Sequence, residues 1–145
     1  MIKKPKCSKT YNCLSIEAKD IAKNLAITLD WVLRLEKDPS QVEQPDDKYE
    51  YPQQAVMSIT QAITFIQEFR IVSKDVDRVK IDSLSEDLYN CLFWACRVFN
   101  DHNMVIAETD SIDWPVETIK ILFDMRTFLR DCILYFGHNP YEDDF

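Results

Sequence analysis

The residues best equipped for chemistry lie in CRVFNDH, Cys96 to His102, where a guanidinium and an imidazole stand five positions apart. An imidazole can shuttle a proton near neutral pH, and a guanidinium can hold a phosphoryl group through paired hydrogen bonds. Together they could act on a phosphodiester. A helix turns by roughly 100° per residue, so an unbroken one would point Arg97 and His102 about 140° apart. The pair converges only where the helix ends between them, and Asn100, Asp101 and Asn103 are of the types that end helices.

An arginine and a histidine separated by four residues, on a late helix of an all-α domain, resemble the Rx4-6H element of HEPN-family ribonucleases. The resemblance implies that Arg97 and His102 act on an RNA phosphate and its 2′-hydroxyl, usually as a pair formed across a dimer. The bland alternative makes Arg97 a flank charge and His102 a helix-end residue.

Other chemistries find less material. Gly137 is the only glycine, which removes the phosphate-cradling GxGxxG and GxxxxGK loops. Neither histidine follows a glutamate by three positions, there is no CxxC, and no metal or cofactor is expected. A Ser/His/Asp or Cys/His nucleophile assembles in space and stays open, although His138 falls in a tail. Cys91, Cys96 and Cys132 fall in apolar helical runs, where a thiol is most simply a small buried hydrophobe.

The composition bounds the setting of any such site. At 145 residues, 46% hydrophobic and 12% aromatic, the chain is the size and type of one packed domain. Five cysteines, an odd number, suggest no disulfide framework and fit a reducing, cytoplasmic location. No leader-like apolar segment follows the basic MIKKPKCSKTYN stretch, and no run of 18 apolar residues occurs, so a soluble chain without membrane contact is expected. A formal charge of −8 argues against direct binding of nucleic acid, whose capture needs basic surface. A protein partner with a basic surface is the more natural counterpart.

The elements that would position these residues are helical. One glycine against six prolines disfavours tight β turns, and four segments carry helical periodicity. The first runs from Ser15, read as an N-cap, to about Lys37, leaving residues 1–14 as a basic extension. Glu36 to Pro52 is a long acidic connection with six acids and two lysines. The second helix begins at Pro52 and ends near Val72. Ser83 to Glu86 reads as a capping box opening a third helix that is apolar nearly all round, while residues 73–82 stay open. Asp113, Pro115 and Glu117 signal a fourth helix with Ile119, Leu122, Phe123, Leu129, Cys132, Ile133 and Phe136 buried.

The expected fold is therefore an all-α, single-domain bundle of about four long helices over residues 15–137, with an acidic loop after the first and an acidic tail at 138–145. The spacing of the helices shows no repeat. The expected function is non-enzymatic binding of a basic protein surface, as an inhibitor, antitoxin, immunity protein or viral anti-defence protein would do. Asp46, Asp47, Tyr49, Glu50, Tyr51, Phe93, Trp94 and Trp114 are the candidate contact residues, with aromatics favoured at interfaces. The surplus apolar surface of the third helix, at Phe93 and Trp94, would face a second protein or a second copy. The alternatives are the HEPN-like nuclease and a structural subunit of a larger assembly.

Overall fold

A computed structural model describes the backbone of residues 3–73 and 77–137, and the side-chain surroundings of Leu14, residues 16–73 and residues 77–134. The chain is an all-α bundle of four helices: α1 (Lys3–Lys37), α2 (Tyr51–Val72), α3 (Arg78–Asn100) and α4 (Trp114–Gly137). A single 3₁₀ turn, His102–Met104, follows α3, and there is no strand among the described residues. None of the described helices is long and apolar enough to cross a membrane.

Each helix follows from an apolar row at three- and four-residue spacing. In α1 the row is Leu14, Ala18, Ile21, Leu25, Leu29, Val32 and Leu35; in α2 it is Ala55, Ile59, Ala62, Ile66 and Phe69. In α3 it is Ile81, Leu84, Leu88, Cys91, Ala95 and Val98, and in α4 Ile121, Leu122, Met125, Leu129 and Cys132. Burying one such side chain stabilises by roughly 1.5–3 kcal/mol, whereas an exposed ion pair such as Arg70–Asp82 contributes about 1 kcal/mol or less. The rows therefore decide the fold. α1 lies mainly along α4 and α2 along α3, with the α1–α2 and α3–α4 hairpins completing one core.

Several boundaries differ from the expected ones. α1 starts at Lys3, so Ser15 lies inside a helix and is no cap. α3 starts at Arg78, where Asp77 accepts a hydrogen bond from the Lys80 amide at 3.1 Å, and Ser83 sits beyond the first turn. Extending α3 backward buries Ile81, which the later start would have left unpacked. In α4 Leu122, Leu129 and Cys132 are buried as expected and Ile121 and Met125 join them, while Phe123 is half-exposed and Ile119 and Ile133 are only partly covered. The burial of Phe136 and the tail 138–145 lie outside the described residues.

The fold is also a duplication, contrary to the absence of repeat read from helix spacing. Residues 63 positions apart correspond: Trp31 with Trp94, Arg34 with Arg97, Asp38 with Asp101, Val42 with Val105, Asp47 with Asp110, Pro52 with Pro115, Phe65 with Phe128. Two of these pairs touch each other, the Trp31 and Trp94 rings at 6.0 Å and the Phe65 and Phe128 rings at 6.4 Å. An operation that exchanges the halves must exchange each pair, so a pseudo-twofold axis passes between both. The same operation exchanges α1 with α3 and α2 with α4, which is why α1 on α4 mirrors α2 on α3.

Candidate functional site

The duplication is most complete where each hairpin turns. Helices α1 and α3 both end in Trp-x-x-Arg, and both are followed by an irregular loop, 38–50 and 101–113. Such a loop exposes backbone carbonyls that no ladder satisfies, and the tryptophan and arginine supply the missing donors. In the first loop Trp31 Nε1 donates to the Val42 carbonyl at 3.1 Å, and Arg34 donates to the Gln41 and Val42 carbonyls at 2.9 and 3.2 Å. Its two terminal nitrogens grip Asp47 at 2.9 and 3.1 Å. In the second, Trp94 Nε1 donates to Val105 at 2.9 Å, and Arg97 donates to Met104 at 2.9 Å and Val105 at 3.3 Å. Arg97 holds Asp110 at 2.8 and 2.9 Å.

The carboxylates are tied a second time. Asp47 accepts from the Gln44 amide and Asp110 from the Ala107 amide, each at 2.9 Å. The Arg97 guanidinium and the Ala107 amide together hold the Asp110 carboxyl down at about 2, well below its ordinary 3.8, and Arg34 lowers Asp47 in the same direction. Arg97 is correspondingly held more firmly in its charged form by Asp110.

This arrangement shows where the two residues of CRVFNDH lie. Helix α3 does end between Arg97 and His102, at Asn100, but the arginine turns into its own loop and its donors are engaged there. His102 is exposed and points across to the other loop, its Nδ1 3.4 Å from Glu43 Oε1. The corresponding arginine, Arg34, makes the same bonds with Pro39 in the position that matches His102. Arg97 therefore has a loop-holding role that does not require a histidine.

The candidate contact residues divide into two groups. Trp94 is 2% exposed and belongs to the core, since its indole stem packs on Trp31 while its N–H reaches Val105. Asp47 is committed to Arg34, and Tyr51 is half-buried, stacked on Trp31 at 6.5 Å with the Arg34 guanidinium 5.0 Å from its ring. Trp114, the counterpart of Tyr51, is likewise half-buried. These four are structural in placement. Asp46, Tyr49, Glu50 and Phe93 are exposed; Phe93 lies away from the loops on α3 at 80% exposure. The neighbouring positions Phe93 and Trp94 face different sides of α3 because helical neighbours are turned by roughly 100°, and only Trp94 joins the inner side.

Because Glu43 meets His102, the two loops share one end of the bundle. A cleft of about 350 Å³ opens on one side of that pair, with Tyr49 and Phe99 as aromatic walls and Glu43, Glu50 and Gln53 as polar ones. A second, of about 440 Å³, lies on the other side between Pro39, Val42, Asn103 and Ile106. Sequence reasoning missed Glu43, Phe99 and His102 as neighbours. The detectable signal was the recurrence of Trp-x-x-Arg with an aspartate thirteen residues after each arginine.

Charge gathers at this end. Loops 38–50 and 101–113 carry nine acids (Asp38, Glu43, Asp46, Asp47, Glu50, Asp101, Glu108, Asp110 and Asp113) against Lys48 alone, and the two arginines beneath them neutralise only Asp47 and Asp110. Elsewhere, Cys91 and Cys132 are buried thiols pushed up to about 12 by desolvation, which keeps them unreactive. Among the described residues no group of three His, Cys, Asp or Glu side chains could hold a metal ion. Comparison with protein-family models, curated proteins and solved structures finds no match to this chain.

Proposed function

We propose that the chain is a protein-binding module whose paired loops dock a basic surface of a partner protein, in the manner of an inhibitor that covers a positively charged groove. The observation that carries this reading is the convergence of two loops with nine acids and one lysine at one end of a rigid bundle. A surface of one sign accelerates encounter with a partner of the other and repels phosphate backbones. The arginine clamps support the same reading, because loops already ordered lose little conformational freedom on binding. Tyr49 and Phe99 add exposed aromatic area beside the carboxylates.

The test compares proteins captured by the wild type and by the triple variant Asp46→Asn, Glu50→Gln, Glu108→Gln, all three positions being exposed and outside the clamps. The expected result is a stoichiometric basic protein recovered by the wild type near 0.05 M salt, released at about 0.5 M as screening shortens, and lost from the variant. Equal recovery by both chains, insensitive to salt, would sink the proposal.

A further inference from the structure

The duplication offers an internal control for reading the surface. Most corresponding residues of the two halves sit on equivalent backbone at similar depth, so an exposed position that is charged in one half and apolar in the other points to a difference in surroundings. On the α1–α4 face Asp30, Lys120 and Arg130 are exposed beside the half-exposed Phe123. Their counterparts on the α2–α3 face are Phe93, Met57 and Gln67, which are exposed too.

Helix α2 makes the contrast plain. Over Tyr51–Val72 its only charged residues are Glu68 and Arg70, and Arg70 is neutralised by Asp82 at 2.7 Å. Its outward positions are Gln53, Met57, Thr60, Gln61, Thr64 and Gln67. On the adjoining edge of α3, Tyr89 is fixed by a 3.0 Å hydrogen bond from Gln67, and Phe93, one turn on, stands 80% exposed. Loss of charge with gain of aromatic residues and methionine marks the centre of a protein contact.

We infer that this α2–α3 face is the contact between two copies of the chain, an isologous dimer centred on Phe93 and Met57. Charge chooses the occupant. The loop end is acidic; the α1–α2 side presents Glu17, Asp20 and Glu68, and the α3–α4 side Asp87, Glu117 and Asp124. Two copies meeting through any of those would oppose carboxylates to carboxylates, in a chain of net charge −8. Between Gln53 and the mutually neutralised Arg70–Asp82 pair the α2–α3 face is poor in charge, so two identical copies of it can meet with little repulsion, as a twofold contact demands. A basic partner gains nothing there, and its docking at the loop end is a separate matter that does not depend on this one.

Sedimentation velocity across a concentration series tests the inference, with Phe93→Asp and Met57→Lys placing at each site the residue type found in the other half. Each change enters a twofold contact twice, so each should weaken the dimer at least about thirtyfold. Phe123→Asp, on the half-exposed α4 surface, should leave it intact. The exposure of all three positions lets the variants fold, which their helical circular dichroism checks. The inference is overturned by a wild type that stays monomeric to about 300 µM, which would leave the face to a different protein, by a dimer that survives Phe93→Asp, or by one that Phe123→Asp dissociates equally.

Discussion

Arg34 and Arg97 each hold a loop through two carbonyls and one bidentate carboxylate, so the stability of that loop depends on a proton. The Asp110 carboxyl sits at about 2 in the folded protein against 3.8 ordinarily. A depressed carboxylate contributes stability that is fully present above its unfolded value and is lost as the pH falls through its folded one. Melting temperature should therefore drop steeply between pH 4 and pH 2, the window set by that shift and by the same direction at Asp47. Asp110→Asn should melt lower at pH 7 and lose less than the wild type on acidification through that window, as scanning calorimetry would record. Asp87 works in the opposite sense. Burial first, then Glu117, Glu86 and Asp124, raise its carboxyl, so its ionised form costs stability at neutral pH. Its counterpart is Asn24, which donates to Gln61 at 3.0 Å, and Gln61 in turn corresponds to Asp124. Asp87→Asn should raise the melting temperature by about 2–4 °C at pH 7, and the gain should vanish below its unfolded value near 3.8. A lower melting temperature at pH 7 would contradict the repulsion.

Helix by helix, what the sequence made readable was the inner row, and what it concealed was where each row begins. Pro52 and Asp113 mark the starts of α2 and α4 because nothing competes with them; Pro52 lies in the first turn, and Asp113 accepts from the Val116 amide at 3.3 Å. Ser83 carries the right residues for a cap, with Glu86 behind it, but local capping is worth about 1 kcal/mol and the burial of Ile81 more. Tertiary packing therefore moved the start to Asp77. Asp77→Ala should lower the melting temperature by about 3 °C and Ser83→Ala should leave it within 1 °C, measured side by side; equal losses would restore Ser83 as the cap. The outward residues were harder. Phe93, Phe99 and Phe123 extend apolar rows in sequence, and only the three-dimensional placement separates them from Trp94, Val98 and Met125.

At the scale of the whole molecule, the twofold relation was present in the sequence but carried by too few residues to be seen from helix lengths. The halves share the clamp, the two prolines and the residues on the axis, because those positions are constrained by packing or by carbonyls that must be satisfied. Their surfaces have diverged, and with them the acidic loops and the charge-poor α2–α3 face. Arg97 was legible as a notable residue while its hold on the loop was not, since thirteen residues separate it from Asp110 and no local pattern joins them. The way the helices pair bears on how such a chain comes off the ribosome. α1 has its broadest contact with α4, and those two helices are separated in sequence by everything else in the bundle. As synthesis proceeds, the row from Leu14 to Leu35 can be covered in part by α2 but not fully until α4 emerges. Contacts so far apart in sequence delay folding and leave a nascent helix open to wrong partners. The α2–α3 pair has no such delay, since a short connection lets it close as soon as α3 is made.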